Sequence, residues 1–416
     1  MNYQPIVNFG RFKCDDYRIK KFMGRELLSN RTLQIIFSIT LMAVMGVASL
    51  TPAFPKIISE FGISAQQVGL LITVFTLPGI ILTPILGILA DRYGRKNILV
   101  PAIFLFALAG GACSLTRSFE MLLILRFFQG IGATSLGSLN VTIIGDTFTG
   151  KDRISAMGYN ASILSLGTAS YPAIGGALAM IGWNYPFLLP LIGLPLGFWV
   201  IFSLKNPEPE NDQSLGRYLR NTLKSLNKKE VIGLFLINIL VFIILYGAIL
   251  TYFPILLGGK FHAAPYLIGI IMSIASLSGA VISTQLGRFS RLIPQKRLLI
   301  IAISLFGISV GLIPWMPSLW MMLVPAVMWG IAQGINTPTL QTILVGLAPI
   351  EYRAAFMSVN GMILRVGQTL GPLVIGALYV AWGFRGAFLG GTAIVALMLV
   401  IFITMVTGNS DQMEKS

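Results

Sequence analysis

GTASYPAIGG at residues 167–176 returns 200 positions later as GQTLGPLVIG at 367–376, so that Gly167, Pro172 and Gly176 answer to Gly367, Pro372 and Gly376. The same offset pairs Leu50 and Thr51 with Leu250 and Thr251, Gly69 with Gly269, Gly87 with Gly287, Lys96 with Lys296, Gly130 with Gly330, Arg153 with Arg353 and Met157 with Met357. One period held along the whole chain marks an internal duplication. Each copy carries six apolar stretches near the roughly 20 residues that a helix needs to cross a bilayer. They fall at 33–55, 66–90, 98–116, 121–145, 154–180 and 185–204, then at 231–257, 266–287, 298–316, 319–347, 354–381 and 386–407. The runs are continuous and lack period-two alternation, so helices and not a β-barrel satisfy the backbone. The expected fold is an all-α membrane protein with twelve transmembrane helices in two pseudo-symmetric six-helix bundles. The expected organisation is a tail at 1–32, a first bundle at 33–204, a charged, Pro-containing linker at 205–230, a second bundle at 231–407 and a tail at 408–416.

Composition agrees: 55% of residues are apolar, 11% are charged, Gly numbers 44 and Pro 21, and the mean hydropathy is +0.81. No soluble domain of this length has that balance. The net charge of +15 could suggest nucleic acid, but the basic residues follow topology instead. Arg11, Lys13, Arg18, Lys20, Lys21, Arg25 and Arg31, then Arg92, Arg95 and Lys96, then Lys151 and Arg153, then the segment from Lys205 to Lys229, all fall on one side. The other side holds little beyond Lys56, Arg117, Lys260 and Arg385. The positive-inside rule therefore predicts that both termini are cytoplasmic; the expected protein is a multi-pass one of the cell inner (plasma) membrane, partnered by lipid and a small solute and not by nucleic acid, and working as a monomer. The first apolar run starts at Leu33 behind a long basic segment and is too long for a signal-peptide core, so it is expected to be retained. Cys14 and Cys113 suggest neither a disulfide nor a metal site.

The loop after the second stretch reads GILADRYGRK at 87–96. It resembles the signature loop of the major facilitator superfamily, G-x-L-x-D-R-x-G-R-K, in full and in the right place. Gly87 would let two helices approach, Gly94 would allow a tight turn, and Asp91 could face the positive end of a neighbouring helix while Arg92, Arg95, Lys96 and Arg153 pair with carboxylates. The resemblance implies a gate in which Asp91 locks one side against the eleventh helix. RFFQGIGA at 126–133 is similar to the family's R-x-x-Q-G-x-G-A pattern, which implies a part for Arg126 and Gln129 in proton coupling; Arg126 lies roughly 9 Å into its span. A guanidinium snorkelling to the interface is the structural alternative. The stretch at 167–176 resembles the G-x-x-x-G-P-x-x-G-G element of the drug:proton antiporter-like branch, with Tyr171 where glycine is expected, while Gly371 and Pro372 keep the Gly-Pro pair in the second copy. Gly167, Tyr171, Pro172, Gly371 and Pro372 are thus candidate hinge residues.

All fifteen carboxylates fall in tails, loops or span ends. Arg365 is the deepest charge, twelve residues beyond Arg353 and hence about 18 Å into its span. A cavity with two arginines and no acid should favour anionic, zwitterionic or neutral solutes over organic cations, unless Arg365 is instead buried against helix carbonyls. Asn140, Asn238, Tyr252, Gln333, Asn336, Asn360 and Gln368 are further candidate substrate-binding residues, each equally suited to helix-helix hydrogen bonding. There is no nucleophile-base set, metal-ligand cluster or P-loop, so no enzyme and no cofactor is expected, and the proton gradient is the expected energy source. Efflux of a small amphipathic compound or metabolite is the leading reading; import or facilitated passage by the same fold, and a non-transporting sensor, are the alternatives.

Overall fold

The structure, a computed structural model, describes residues 27–204, 228–348 and 353–407, and every regular element among them is helical. The two tails and nearly all of the linker expected from sequence lie outside the described residues. Ten stretches among the described residues are long and apolar enough to cross a membrane. Nine of them carry α1 (Arg31–Phe61), α2 (Ala65–Tyr93), α3 (Arg95–Cys113), α4 (Phe119–Thr147), α5 (Gly150–Ile181), α6 (Tyr185–Ser203), α7 (Lys229–Phe261), α8 (Pro265–Leu292) and α9 (Gln295–Trp315). The tenth, Val359–Val406, runs for 48 residues, about 72 Å of helix and more than twice a hydrocarbon core. It folds back at Trp382 (φ −139°, ψ 17°) and Gly383 (φ 64°, ψ −156°), which divides it into α11 (353–381) and α12 (384–407). A less apolar helix, α10 (Leu323–Leu347), completes the twelve passages read from sequence.

Local chemistry sets where passages begin. Asn30 Oδ1 accepts the Thr32 and Leu33 amides at 2.9 and 3.3 Å at the start of α1. Ser64 and Gln67 form a capping box at the start of α2, which satisfies amides that the helix itself leaves open. α7 is α-helical to Ile243, then winds as a π-helix over Ile244–Tyr252 before resuming at Phe253. Such wide turns are rare in helices and tend to mark functional positions.

The duplication reappears as repeated contacts. Gly130 of α4 lies directly on the Phe75 carbonyl of α2, and Gly330 of α10 lies on the Ala275 carbonyl of α8, 200 residues away in both partners. Between the halves, α5 packs along α8 and α2 along α11. Here Gly69 meets Pro372 while Gly269 meets the Pro172 carbonyl, the same pair with its halves exchanged. At Gly130, Gly269 and Gly330 only glycine permits backbones so close.

Helix ends alternate, so Arg31, Arg92, Arg95, Lys96, Lys151, Arg153, Lys228, Lys229, Arg288, Arg291, Lys296 and Arg297 share one face of the molecule, hereafter the basic face. Lys56, Arg117, Lys260 and Arg385 mark the far face.

Candidate functional site

Two small side chains at repeat-related positions, Thr73 and Ser273, join the halves. Thr73 Oγ1 on α2 donates to the Thr369 carbonyl on α11 at 3.1 Å, and Thr76 Oγ1 lies 2.9 Å from Thr369 Oγ1. On the other seam Ser273 Oγ accepts the Ala173 amide at 3.0 Å. That amide follows Pro172, whose ring disturbs the helical ladder at this turn. Nearer the far face, Thr51 Oγ1 contacts Met272 Sδ at 3.8 Å. These four contacts across the seams lie between the far face and the level of Arg365. Toward the basic face, Gly87 and Gly361 on one pair of helices, and Gly158 and Gly287 on the other, have no atom of the described residues within 4 Å of where a Cβ would stand. The halves are closed at the far face and parted at the basic face.

Arg365 sits where closing ends and parting begins. Its stem crosses from α11 to α2, so that a Cβ on Gly79 would lie 3.0 Å from Arg365 Cδ and 3.1 Å from its Nε. Its Nη2 reaches toward Gly137 of α4, 3.9 Å from the Cβ position there. Arg365 Nη1 donates to Gln368 Oε1 at 3.0 Å, and Tyr246 of the α7 π-segment lies within electrostatic reach. The described carboxylates, Glu60, Glu120, Asp146, Asp152 and Glu230, all stand at helix ends.

Arg126 is placed differently. It is 1% exposed and donates from Nε to the Leu71 carbonyl (3.1 Å) and from Nη1 to the Gly46 carbonyl (2.9 Å) and Gln129 Oε1 (2.7 Å). Its Cζ stands 4.1 Å from the centroid of the Phe75 ring. One guanidinium thus ties α1, α2 and α4 together inside the first half. Arg126 Nη2 and Gln129 Nε2 are buried with no hydrogen-bond partner among the described residues.

In the 87–96 loop, Gly94 takes φ 90°, ψ 141°, a left-handed backbone that glycine alone adopts readily. Its repeat mate, Pro294, makes the corresponding turn at φ −56°, ψ 143°. Arg95 Nε pairs with Asp146 Oδ2 at 2.9 Å, tying α3 to the end of α4. Lys96 donates to the Ile201 carbonyl, and Lys296 mirrors it by donating to the Val406 carbonyl at 2.8 Å. Arg92 lies 5.6 Å over the Tyr93 ring, and exposed Arg153 sits beside Gly145. The Asp91 side chain lies outside the described residues.

The hinge candidates part company at one repeat position. Tyr171 is 8% exposed within α5, whereas its mate Gly371 lets α11 approach α7 until a Cβ there would stand 2.9 Å from the Gly247 amide. Gly167 meets Leu41 of α1.

The remaining polar candidates divide. Asn140 Nδ2 donates to Thr40 Oγ1 (2.8 Å), which in turn bonds Asn160 Oδ1 (2.6 Å), joining α1, α4 and α5. Asn238 Nδ2 donates to Asn360 Oδ1 at 2.8 Å, joining α7 to α11. Tyr252 Oη, Gln333 Oε1 and Asn336 Oδ1 are buried without partners among the described residues, the last two on one face of α10. An Asn238→Leu variant is expected to lose about 0.6 kcal/mol, the average for an interhelical hydrogen bond in a membrane. Unfolding in detergent measures that loss, and transport should fall less than twofold.

Sequence reasoning did not single out Thr73, Thr76, Thr369 or Ser273. The signal was present, because Thr73 and Ser273 are exact repeat mates, as are Gly69 and Gly269.

Two six-helix halves meeting at a seam open to one face form a membrane transporter, with no catalytic set gathered at the opening among the described residues. A family model for the Major Facilitator Superfamily matches residues 36–281 and 236–415, and the chain belongs to that superfamily. Among curated proteins it is similar to Multidrug resistance protein 1 of Bacillus subtilis (strain 168), 27% identical over 357 residues and covering 84% of this chain and 90% of that one. It is also similar to the Bacillibactin exporter of the same organism, 27% identical over 381 residues with 88% and 94% covered. Among solved structures, a POT family transporter in complex with a thioalcohol-conjugated peptide superposes with a TM-score of 0.76 at 18% identity, over 91% of this chain and 97% of that one. The expected class and fold therefore hold: a twelve-helix transporter similar to drug-resistance efflux proteins, and not an enzyme.

Proposed function

We propose that this transporter exports a small amphipathic compound from the cell, driven by protons, by alternating access. The excess of basic residues makes the basic face cytoplasmic under the positive-inside rule, with both termini on that side. The observation that carries the reading is the seam, closed at the far face and parted at the basic face. On this orientation it is an inward-open state, in which cytoplasmic solute reaches Arg365. Rocking about the Thr73–Thr369 and Ala173–Ser273 contacts would then expose the same place outward. Relatives named for multidrug resistance and for export support the direction. Arg126 and Gln129, with two buried unpartnered donors, are the proposed coupling pair. Asp91, with the cations of its loop, is the proposed gate on the cytoplasmic side, and one chain suffices because both halves of the site are present in it.

A specific observation supports a second reading, facilitated passage. No described carboxylate lies deep in a passage, so no described acid stands ready to carry the exchanging proton. Proteoliposomes loaded with a fluorescent drug substrate separate the two. Under an imposed pH gradient, acid on the side to which drug is moved, drug is expected to accumulate there about tenfold for each proton exchanged and each pH unit, because one pH unit supplies about 1.4 kcal/mol. Indifference to the gradient would favour facilitation.

A further inference from the structure

Arg365 is a charge placed where charge is expensive. Roughly 18 Å into α11 it stands near mid-membrane, where an arginine needs water, a partner or a ligand. Its surroundings supply little. Gln368 occupies Nη1 with a neutral oxygen, Gly79 and Gly137 present bare backbone, and the described carboxylates lie at helix ends. The other deep arginine is not available to a solute: Arg126 is buried and spent on two carbonyls, a side-chain amide and an aromatic ring. Arg365, by contrast, is half-buried at the parted end of the seam.

We propose that the solute carries one carboxylate on an apolar body, and that Arg365 binds this carboxylate at the junction of the two halves. The proposal rests on the transport reading above and names its substrate class. With Nη1 held by Gln368, the guanidinium keeps one edge, Nε and Nη2, whose two parallel donors match a single carboxylate. A dianionic phosphate would leave a second negative charge without a counter-charge, since Arg126 is turned inward. An apolar neighbour for the body stands beside α11 in half-buried Phe242 and Tyr246 of α7, which pack against Gly367 and Gly371 and whose rings stack at 6.0 Å and 22°. Glycine at position 79 belongs to the same design, because a side chain there would push the arginine stem aside. As Arg365 reaches from α11 to α2 and α4, the bound anion lies between the halves and is released when they rock.

The test is a binding titration of the purified full-length protein in detergent with four naphthalenes that differ only in head group: 2-naphthoate, 2-naphthyl phosphate, 2-naphthalenemethanol and 2-naphthylmethylammonium. Wild type is expected to bind the carboxylate at least about tenfold more tightly than the alcohol or the ammonium, the size of one charge-assisted hydrogen bond. R365Q should erase that margin and leave the alcohol's affinity unchanged, which also reports an intact fold. R365K, which keeps charge but loses the fork, and G79V, which displaces the stem, should each lose most of it. A margin kept in R365Q, a wild type that prefers the ammonium or the phosphate, or one that does not bind the carboxylate would overturn the proposal. Should R365Q fail to fold, R365K and G79V decide by the same margin. Binding in detergent involves no gradient and no direction, so failure of proton-driven export would leave this result standing, and a missing head-group preference would leave export standing.

Discussion

Replacing Gly269 by valine is expected to abolish transport while leaving both halves folded. A Cβ at Gly269 would fall on the Pro172 carbonyl of the other half, with the Pro172 carbonyl carbon at 2.9 Å and Ala173 Cα at 3.1 Å. All three atoms are backbone, so no side chain can turn away and α5 must leave α8. The polar contacts that would hold the two helices together against that separation are few. The Ala173 amide to Ser273 and the Thr51 contact with Met272 contribute about 1 kcal/mol each at most. A change of about 3 kcal/mol between two conformations moves their ratio more than a hundredfold, and the far-face closure would be lost. Labelling measures it: in a variant without Cys14 and Cys113, a cysteine at position 273 should resist a membrane-impermeant thiol reagent until Gly269→Val is added, then react quickly from the far face. Gly259→Ala, at a helical position with nothing within 4 Å of the added carbon, is the control. Wild-type transport in G269V, or unchanged labelling, would show that the far-face contact does not close the path.

Arg126→Ala should cost stability as well as transport. The side chain is among the largest fully buried ones in the molecule and holds three helices by three hydrogen bonds. Its removal leaves the carbonyls of Gly46 and Leu71 and the Gln129 amide oxygen without this donor inside a low-dielectric bundle, at a cost of about 1–3 kcal/mol for each acceptor left unsatisfied. Arg126→Lys keeps the charge but cannot span α1, α2 and α4 with one planar fork. It is expected to recover less than half of the lost stability, measured by thermal unfolding in detergent. If R126K melts like wild type yet does not couple transport to protons, the guanidinium serves coupling and its clamp is dispensable. If both variants melt like wild type, the clamp itself is refuted.

The two arginines show where sequence reading stops. Both were visible as charges inside apolar runs, and their depths followed from counting residues. Their directions did not. In a soluble helix one apolar face tells which side is buried, whereas these passages are apolar on most sides and periodicity hardly distinguishes lipid from neighbour. So Arg126 and Arg365 read as two cavity arginines, but one is enclosed by its own half and the other reaches across the seam. The asparagines illustrate the same limit. Asn140 and Asn238 are polar in apolar surroundings, which marks them as costly but does not say what satisfies them; Thr40 and Asn360 do so in the fold. The seam glycines and hydroxyls were more legible than they first looked, because Gly69 with Gly269 and Thr73 with Ser273 are separated by the repeat distance.

The sequence by itself determined the number of passages, their alternation, the duplication and the face that carries the positive charge. These depend on length and composition along a single helix, which the bilayer's thickness and the cost of an open backbone make strict. Only the tertiary structure decided which buried polar groups are already paired, which arginine remains open, and that the halves touch at the far face and part at the basic face. Those are properties of which helix surfaces meet, and packing among uniformly apolar surfaces leaves almost no trace in the pattern of any one of them.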